Sequence, residues 1–151
     1  MKAWFSRFWR LLMDLSLTDR IVAVVVGIVG GIFPMPSITT LVTLFLGRLM
    51  SCTPPQIALS TSVNLVLAPV DIYLLPKFAT LTSVAMGYEV TYTGPMLLEM
   101  INQGVLHLIT AGGTMILMAI VSWVFIAMGI LVATTVILNW VPHGKFRKEE
   151  P

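Results

Sequence analysis

An all-α integral membrane protein is the fold class this sequence predicts, and three observations carry the prediction. Met115–Val141 is an uncharged run of apolar and β-branched residues, long enough to span a bilayer with some tilt. Hydrophobic residues make up 57% of the chain and charged residues 11%, where an ordinary soluble domain carries about 25% charged residues. Between Arg20 and Arg48 no charge interrupts the chain, yet Pro34 and Pro36 stand in the middle of that stretch. The same composition argues against other classes. A net charge of +2, with no basic run interleaved with aromatics, offers nucleic acid no footprint. The single cysteine, Cys52, excludes an intrachain disulfide and a cysteine-rich metal site, and it reads as a small packing residue. No polar linker or shift of composition divides the chain, so residues 1–151 are read as one membrane domain.

Residues 1–19 are expected to hold an amphipathic interfacial helix. Trp4, Phe8, Leu11, Leu12 and Leu15 recur at helical spacing, while Lys2, Arg7, Arg10 and Asp14 take the other side. Aromatics opposite cations suit a helix lying at the headgroup level. The charges are interspersed with the apolar residues and no small-x-small cleavage site follows, which argues against a signal peptide.

Residues 20–50 are expected to form a proline-broken helical hairpin. Ile21–Phe33 would make about 20 Å of helix, short of a hydrocarbon core of about 30 Å. Pro34 and Pro36 then remove two backbone donors and disfavour helix through Phe33 and Met35. A break inside an apolar segment is tolerated only where protein or a water-lined cavity covers it. Ser37 is expected to cap a second half, Ile38–Met50. One kinked spanning helix and a re-entrant hairpin both fit these residues. Arg48 favours the hairpin, which returns it to the side of Lys2, Arg7, Arg10 and Arg20. Gly27, Gly30, Gly31 and Gly47 would allow close backbone approach.

A second broken apolar segment, 56–78, follows the polar turn around Pro54 and Pro55, and it contains Asn64, Pro69 and Asp71 before Pro76 and Lys77. Asp71 has two readings: an N-cap for a half-helix 72–78 or a partner for Lys77, and a functional group at membrane depth. Residues 79–112 read as an interfacial loop carrying Tyr88 and Tyr92, then an amphipathic helix opened by Pro95. On that helix Glu99, Gln103 and His107 fall at four-residue spacing. One Glu and one His are too few to hold a metal, so they read as a solvated face. Ala111–Thr114 is expected to soften the chain before a transmembrane helix over 113–141, with Trp140 at the interface. The tail 142–151, with Lys145, Arg147 and Lys148, puts the C-terminus in the cytoplasm. Every cation but Lys77 then lies on one side, with both termini cytoplasmic and two full crossings of a bacterial-type inner membrane.

The segment from Gly30 through Pro34, Pro36 and Ser37 to Thr40, the following Arg48, the set Asn64, Pro69 and Tyr73, and the terminal helix with its basic tail resemble a bacterial family of small integral-membrane proteins. That family is catalogued only as a domain of unknown function, the DUF2062-type domain. Its members tend to carry an Asn-Pro pair in the second segment, whereas here Asn64 is followed by Leu65. The resemblance implies an inner-membrane protein and supplies no catalytic residues.

No phosphate-binding loop, zinc-protease helix or nucleophile elbow is present, so the sequence argues against an enzyme and calls for no cofactor. The leading reading is an oligomeric transporter or channel-like subunit for a small polar or anionic solute, with broken helices meeting near the bilayer midplane. Pro34, Pro36, Ser37, Thr39, Thr40, Asn64, Pro69 and Asp71 are its solute-binding or pore candidates. The alternative is a structural or assembly subunit of a membrane complex. Either implies the lipid bilayer and further subunits, its own copies or others, as partners.

Overall fold

The computed structural model describes residue 10, residues 13–35 and residues 38–140. Most of the expected interfacial helix, the basic tail, and Pro36 and Ser37 lie outside the described residues. Within them the chain forms six α-helices and no strand: α1 (Leu17–Gly31), α2 (Thr39–Leu49), α3 (Pro54–Leu67), α4 (Asp71–Ala85), α5 (Gly94–Asn102) and α6 (Val105–Trp140), with a 3-10 turn, Ala68–Val70, between α3 and α4.

Local chemistry sets both ends of α1. The Ser16 hydroxyl accepts from the Asp19 amide at 3.1 Å, and Asp19 adds a negative charge where the helix dipole favours one. At the other end, Pro34 has no N–H to offer the Gly30 carbonyl, so the Phe33 amide turns to Gly30 at 3.3 Å. The carbonyl of Val29, which an α-helix would pair with Phe33, is thereby orphaned.

The start of α3 is tied both to its own cap and to α1. Gln56 Oε1 accepts from the Thr53 amide at 2.6 Å, and Gln56 Nε2 donates to Asp19 Oδ1 at 2.9 Å. Gln56 is buried. Gln56→Ala is expected to destabilise the protein by about 1–2 kcal/mol, a lost cap plus a lost bridging bond. Thermal unfolding in detergent micelles checks this, and an unchanged midpoint would mean the bridge contributes nothing.

Above Gln56 the two helices stay in register. Ser60 Oγ donates to the Ala23 carbonyl at 2.8 Å. A Cβ built on Gly27 would fall 2.5 Å from the Ser60 carbonyl oxygen, and one on Gly31 would fall 3.1 Å from Asn64 Cα. The contacts 19 to 56, 23 to 60 and 31 to 64 all advance together, so α1 and α3 run parallel. Since α1 ends far from where α3 begins, α2 must return between them, and it packs on both. Residues 17–67 are therefore an up-down-up unit in which α1 and α2 form a hairpin, rather than one kinked helix. Cys52 closes the lower turn, its amide bonded to the Gly47 carbonyl at 2.8 Å. Burial, with Asp19 adding to it, pushes its thiol above the ordinary range, as befits a packing residue.

Helical backbone continues from α3 through the 3-10 turn into α4, since Val70 has φ −78° and ψ −24°. The expected half-helix 72–78 is thus longer. Pro76 lies inside α4, which reaches Ala85, so much of the stretch expected to be interfacial loop is helix. Three of its carbonyl or hydroxyl contacts fix its partner: Ser122 Oγ donates to the Phe78 carbonyl at 2.8 Å, and Thr82 Oγ1 donates to the Met118 carbonyl at 2.6 Å and meets the Ser122 hydroxyl. As 78 to 82 rises, 122 to 118 falls, so α4 and α6 are antiparallel. The loop after α4 is pinned back by the Tyr92 amide, which donates to Thr80 Oγ1 at 2.9 Å. The expected soft point at Ala111–Thr114 does not exist, because α6 runs through it unbroken. Small residues there cost propensity, but Gly112 and Met115 are buried against neighbouring helices, and packing decides. Gly112–Trp140 is the one described helical stretch long and apolar enough to cross a membrane, 29 residues at a mean hydropathy of 2.7.

Candidate functional site at the helix break

The two halves of the molecule meet where α1 ends. Trp123, on α6, donates from Nε1 to the Val29 carbonyl at 2.9 Å, which is the group orphaned by Pro34. Its ring meets Phe33 edge-on, with centroids 4.8 Å apart and planes at 87°. Thus the break is covered by protein, as a break surrounded by apolar residues requires.

Beside it lies a buried polar chain. Asn64 Nδ2 donates to Thr43 Oγ1 at 2.9 Å, and Thr43 Oγ1 donates to the Thr39 carbonyl at 2.9 Å. Thr39, Thr43 and Asn64 are 3%, 1% and 1% exposed. Gly30 lets α2 approach closely enough for this: a Cβ there would fall 2.8 Å from Thr43 Cα and closer still to Thr43 Oγ1. The chain of bonds is incomplete. Asn64 Oδ1 has no hydrogen-bond partner; seven residues further on, outside this chain of bonds, the fully buried Asp71 has none on either carboxylate oxygen.

The sequence candidates therefore separate. Pro34, Thr39, Asn64 and Asp71 are buried, with Thr39 and Asn64 in one hydrogen-bonded chain and Asp71 bonded to none of them. Thr40 and Pro69 are exposed. Pro36 and Ser37 lie outside the described residues, and the N-cap position of α2 is Ile38, with no side-chain cap bond. Asp71 neither caps α4, where the N-cap is Val70 with no side-chain bond, nor pairs with Lys77, which is exposed. Thr43, Trp123, Gln56 and Ser60 belong to this buried framework and were not among the candidates. The signal was there for two of them: Gln56, Ser60 and Asn64 recur every fourth residue, facing Asp19, Ala23, Gly27 and Gly31 at the same interval.

Glu99, Gln103 and His107 do not share one helix. Gly104, at φ 103°, separates α5 from α6. Gln103 reaches Glu99 at 3.5 Å, and all three side chains are exposed. Among the described residues no three His, Cys, Asp or Glu side chains gather as a metal site. Alanine at Glu99 or His107 is expected to move the unfolding midpoint by less than about 2 °C. Thermal scans of the two variants check this, and a loss of stability beyond that would assign the pair a structural task.

No family model, curated protein or solved structure matches the chain. The resemblance to the DUF2062-type domain gains no support from these comparisons.

Proposed function

We propose that the protein is an integral-membrane subunit whose α1–α2 hairpin re-enters the bilayer to mid-depth, and that its oligomer moves a small polar solute past the break. The observation that carries this is one of register. Trp123, which holds the tip of α1, stands eighteen residues after Val105 and seventeen before Trp140. It lies within about 5 Å, along the axis, of the centre of the apolar stretch Gly112–Trp140. A 15-residue helix is about 22 Å long, enough to bring the tip to the middle of a bilayer and not across it. Arg20 and Arg48 then sit at one end of the hairpin, the end to which α6 descends. By the bias of cations toward the cytoplasm, that end is cytoplasmic.

Asp71 narrows the solute. A fully buried carboxyl with no donor is a poor neighbour for an anion, so of the polar and anionic solutes expected from the sequence the reading keeps the polar ones. The assembly-subunit reading is favoured by a different observation. The glycine seams leave α1, α2 and α3 tightly packed, and beside them Leu65 and Val66 are 75% and 77% exposed.

Single cysteines at Arg48, Glu89 and Asn139, in a chain with Cys52 replaced by serine, test the membrane reading with an impermeant thiol reagent. Positions 48 and 139 are expected to react from one side and position 89 from the other. Reaction of position 48 from the same side as position 89 would contradict the α1–α2 hairpin and end the re-entrant reading.

A further inference from the structure

We propose that Asp71 is the seat of a monovalent cation, a proton or an alkali ion, that neutralises it inside the helix stack. The inference rests on the membrane reading above and goes beyond it by naming the ion. Its grounds are geometric. Asp71 is fully buried at the first turn of α4, and neither carboxylate oxygen meets a donor. Asn64 Oδ1, a heptad or about 10 Å earlier along the helical path, is a separate buried oxygen with no donor. Buried acceptors without donors are costly, and an uncompensated charge costs far more.

Among the described residues no hydrogen-bond donor reaches that carboxylate, and no cation of the neighbouring helices stands near it. On its own helix, Lys77 and Tyr73 are exposed. On α6, which packs along α4, no Asp, Glu, Lys or Arg occurs, and His107 is exposed near its start. On α5, Glu99 is exposed. On α1 and α2 the charges Asp19, Arg20 and Arg48 lie at the end away from the break. The local α4 amides are no substitute, since Asp71 makes no cap bond. What remains is a small cation brought from outside the chain. Ionisable groups inside membrane proteins recur on ion pathways and proton relays for this reason.

The test is modification of the intact protein in native membranes by dicyclohexylcarbodiimide, which enters apolar regions and adds to protonated carboxyls, with the modified residue identified by peptide mass. The expected result is labelling of Asp71 that falls as pH is raised, with the label lost in Asp71→Asn. Addition of sodium chloride at constant pH, against choline chloride, separates the two sources. Indifference to sodium identifies the proton, and protection by sodium identifies the alkali ion. Two results would overturn the inference: no label on Asp71 at any pH while the denatured protein is labelled, or ready modification of Asp71 by a water-soluble carbodiimide with an amine nucleophile, which marks a solvated carboxylate. Asp71→Asn keeps the side-chain shape without a charge to neutralise, so its thermal midpoint should stay near that of the parent and lose the parent's dependence on pH or sodium. Failure here with the expected cysteine pattern at positions 48, 89 and 139 removes the ion site alone. Reaction of all three positions from one side removes the membrane reading itself.

Discussion

Gly30→Ala should unseat α2 from α1 at a cost of about 1–3 kcal/mol or more, the range for overpacking a closed contact. On propensity alone alanine would stabilise a helix interior by roughly 1 kcal/mol, so the sign of the effect decides between local and tertiary control. The tertiary term should win because the added methyl meets backbone: Thr43 Cα lies 2.8 Å from where it would sit. Thr43 cannot swing aside without releasing the Asn64 amide, which donates to it at 2.9 Å. One methyl therefore costs packing and leaves a buried amide unpaired. Gly129→Ala on α6 is the matched control, since a Cβ there meets nothing within 4 Å. Thermal unfolding of both variants in the same detergent should show a large drop for the first and no drop for the second. Equal behaviour would mean that the α1–α2 seam is looser than described.

The second large effect is expected at Trp123. Trp123→Ala should cost about 3–5 kcal/mol, as for other large aromatics removed from a core, because it empties the space against Phe33 and leaves the Val29 carbonyl without a donor. Trp123→Phe separates the two contributions. It restores much of the ring contact but not the N–H, so a residual loss of about 1–3 kcal/mol would measure the orphaned carbonyl. Full recovery with phenylalanine would show that the hydrogen bond adds nothing to the ring packing.

How legible these features were depends on what each residue's signal competes with. The hairpin was readable because Pro34 speaks for itself: it removes a donor and stops α1 wherever the chain goes next. The return of Arg48 toward the end of Arg20 was read from a bias of cations to one side of a membrane, and α2 brings it back there. The helix α4 was read too short because the mixed polar and apolar residues from Ala79 on read as interfacial loop, yet the chain continues as helix to Ala85 with Phe78, Ala79, Thr82 and Ser83 buried. Packing outweighed the local preference. The same override carries α6 through Gly112 and Gly113. At the candidate site, Asn64 and Asp71 drew attention as polar residues in apolar runs, whereas Thr43 did not. A threonine that satisfies its own hydroxyl on the preceding turn is unremarkable in sequence, and only its position opposite Gly30 gives it a role. Trp123 likewise became informative once the orphaned Val29 carbonyl had a place in space.

The parallel pairing of α1 with α3 has a consequence for the order in which the protein is made. Synthesis completes α1 and α2 before Gln56, Ser60 and Asn64 exist, so the first hairpin emerges with Gly27 and Gly31 facing no partner. Its Thr43 hydroxyl has no amide to receive, and Asp19 has no Gln56 to hold. Trp123, which covers the tip, arrives later still, some seventy residues after the turn at Ser51–Thr53. The hairpin is therefore a waiting structure. Until α6 is in place nothing in the chain made so far covers its tip, and a nascent chain ending before residue 123 leaves the Val29 carbonyl without the donor that closes the break.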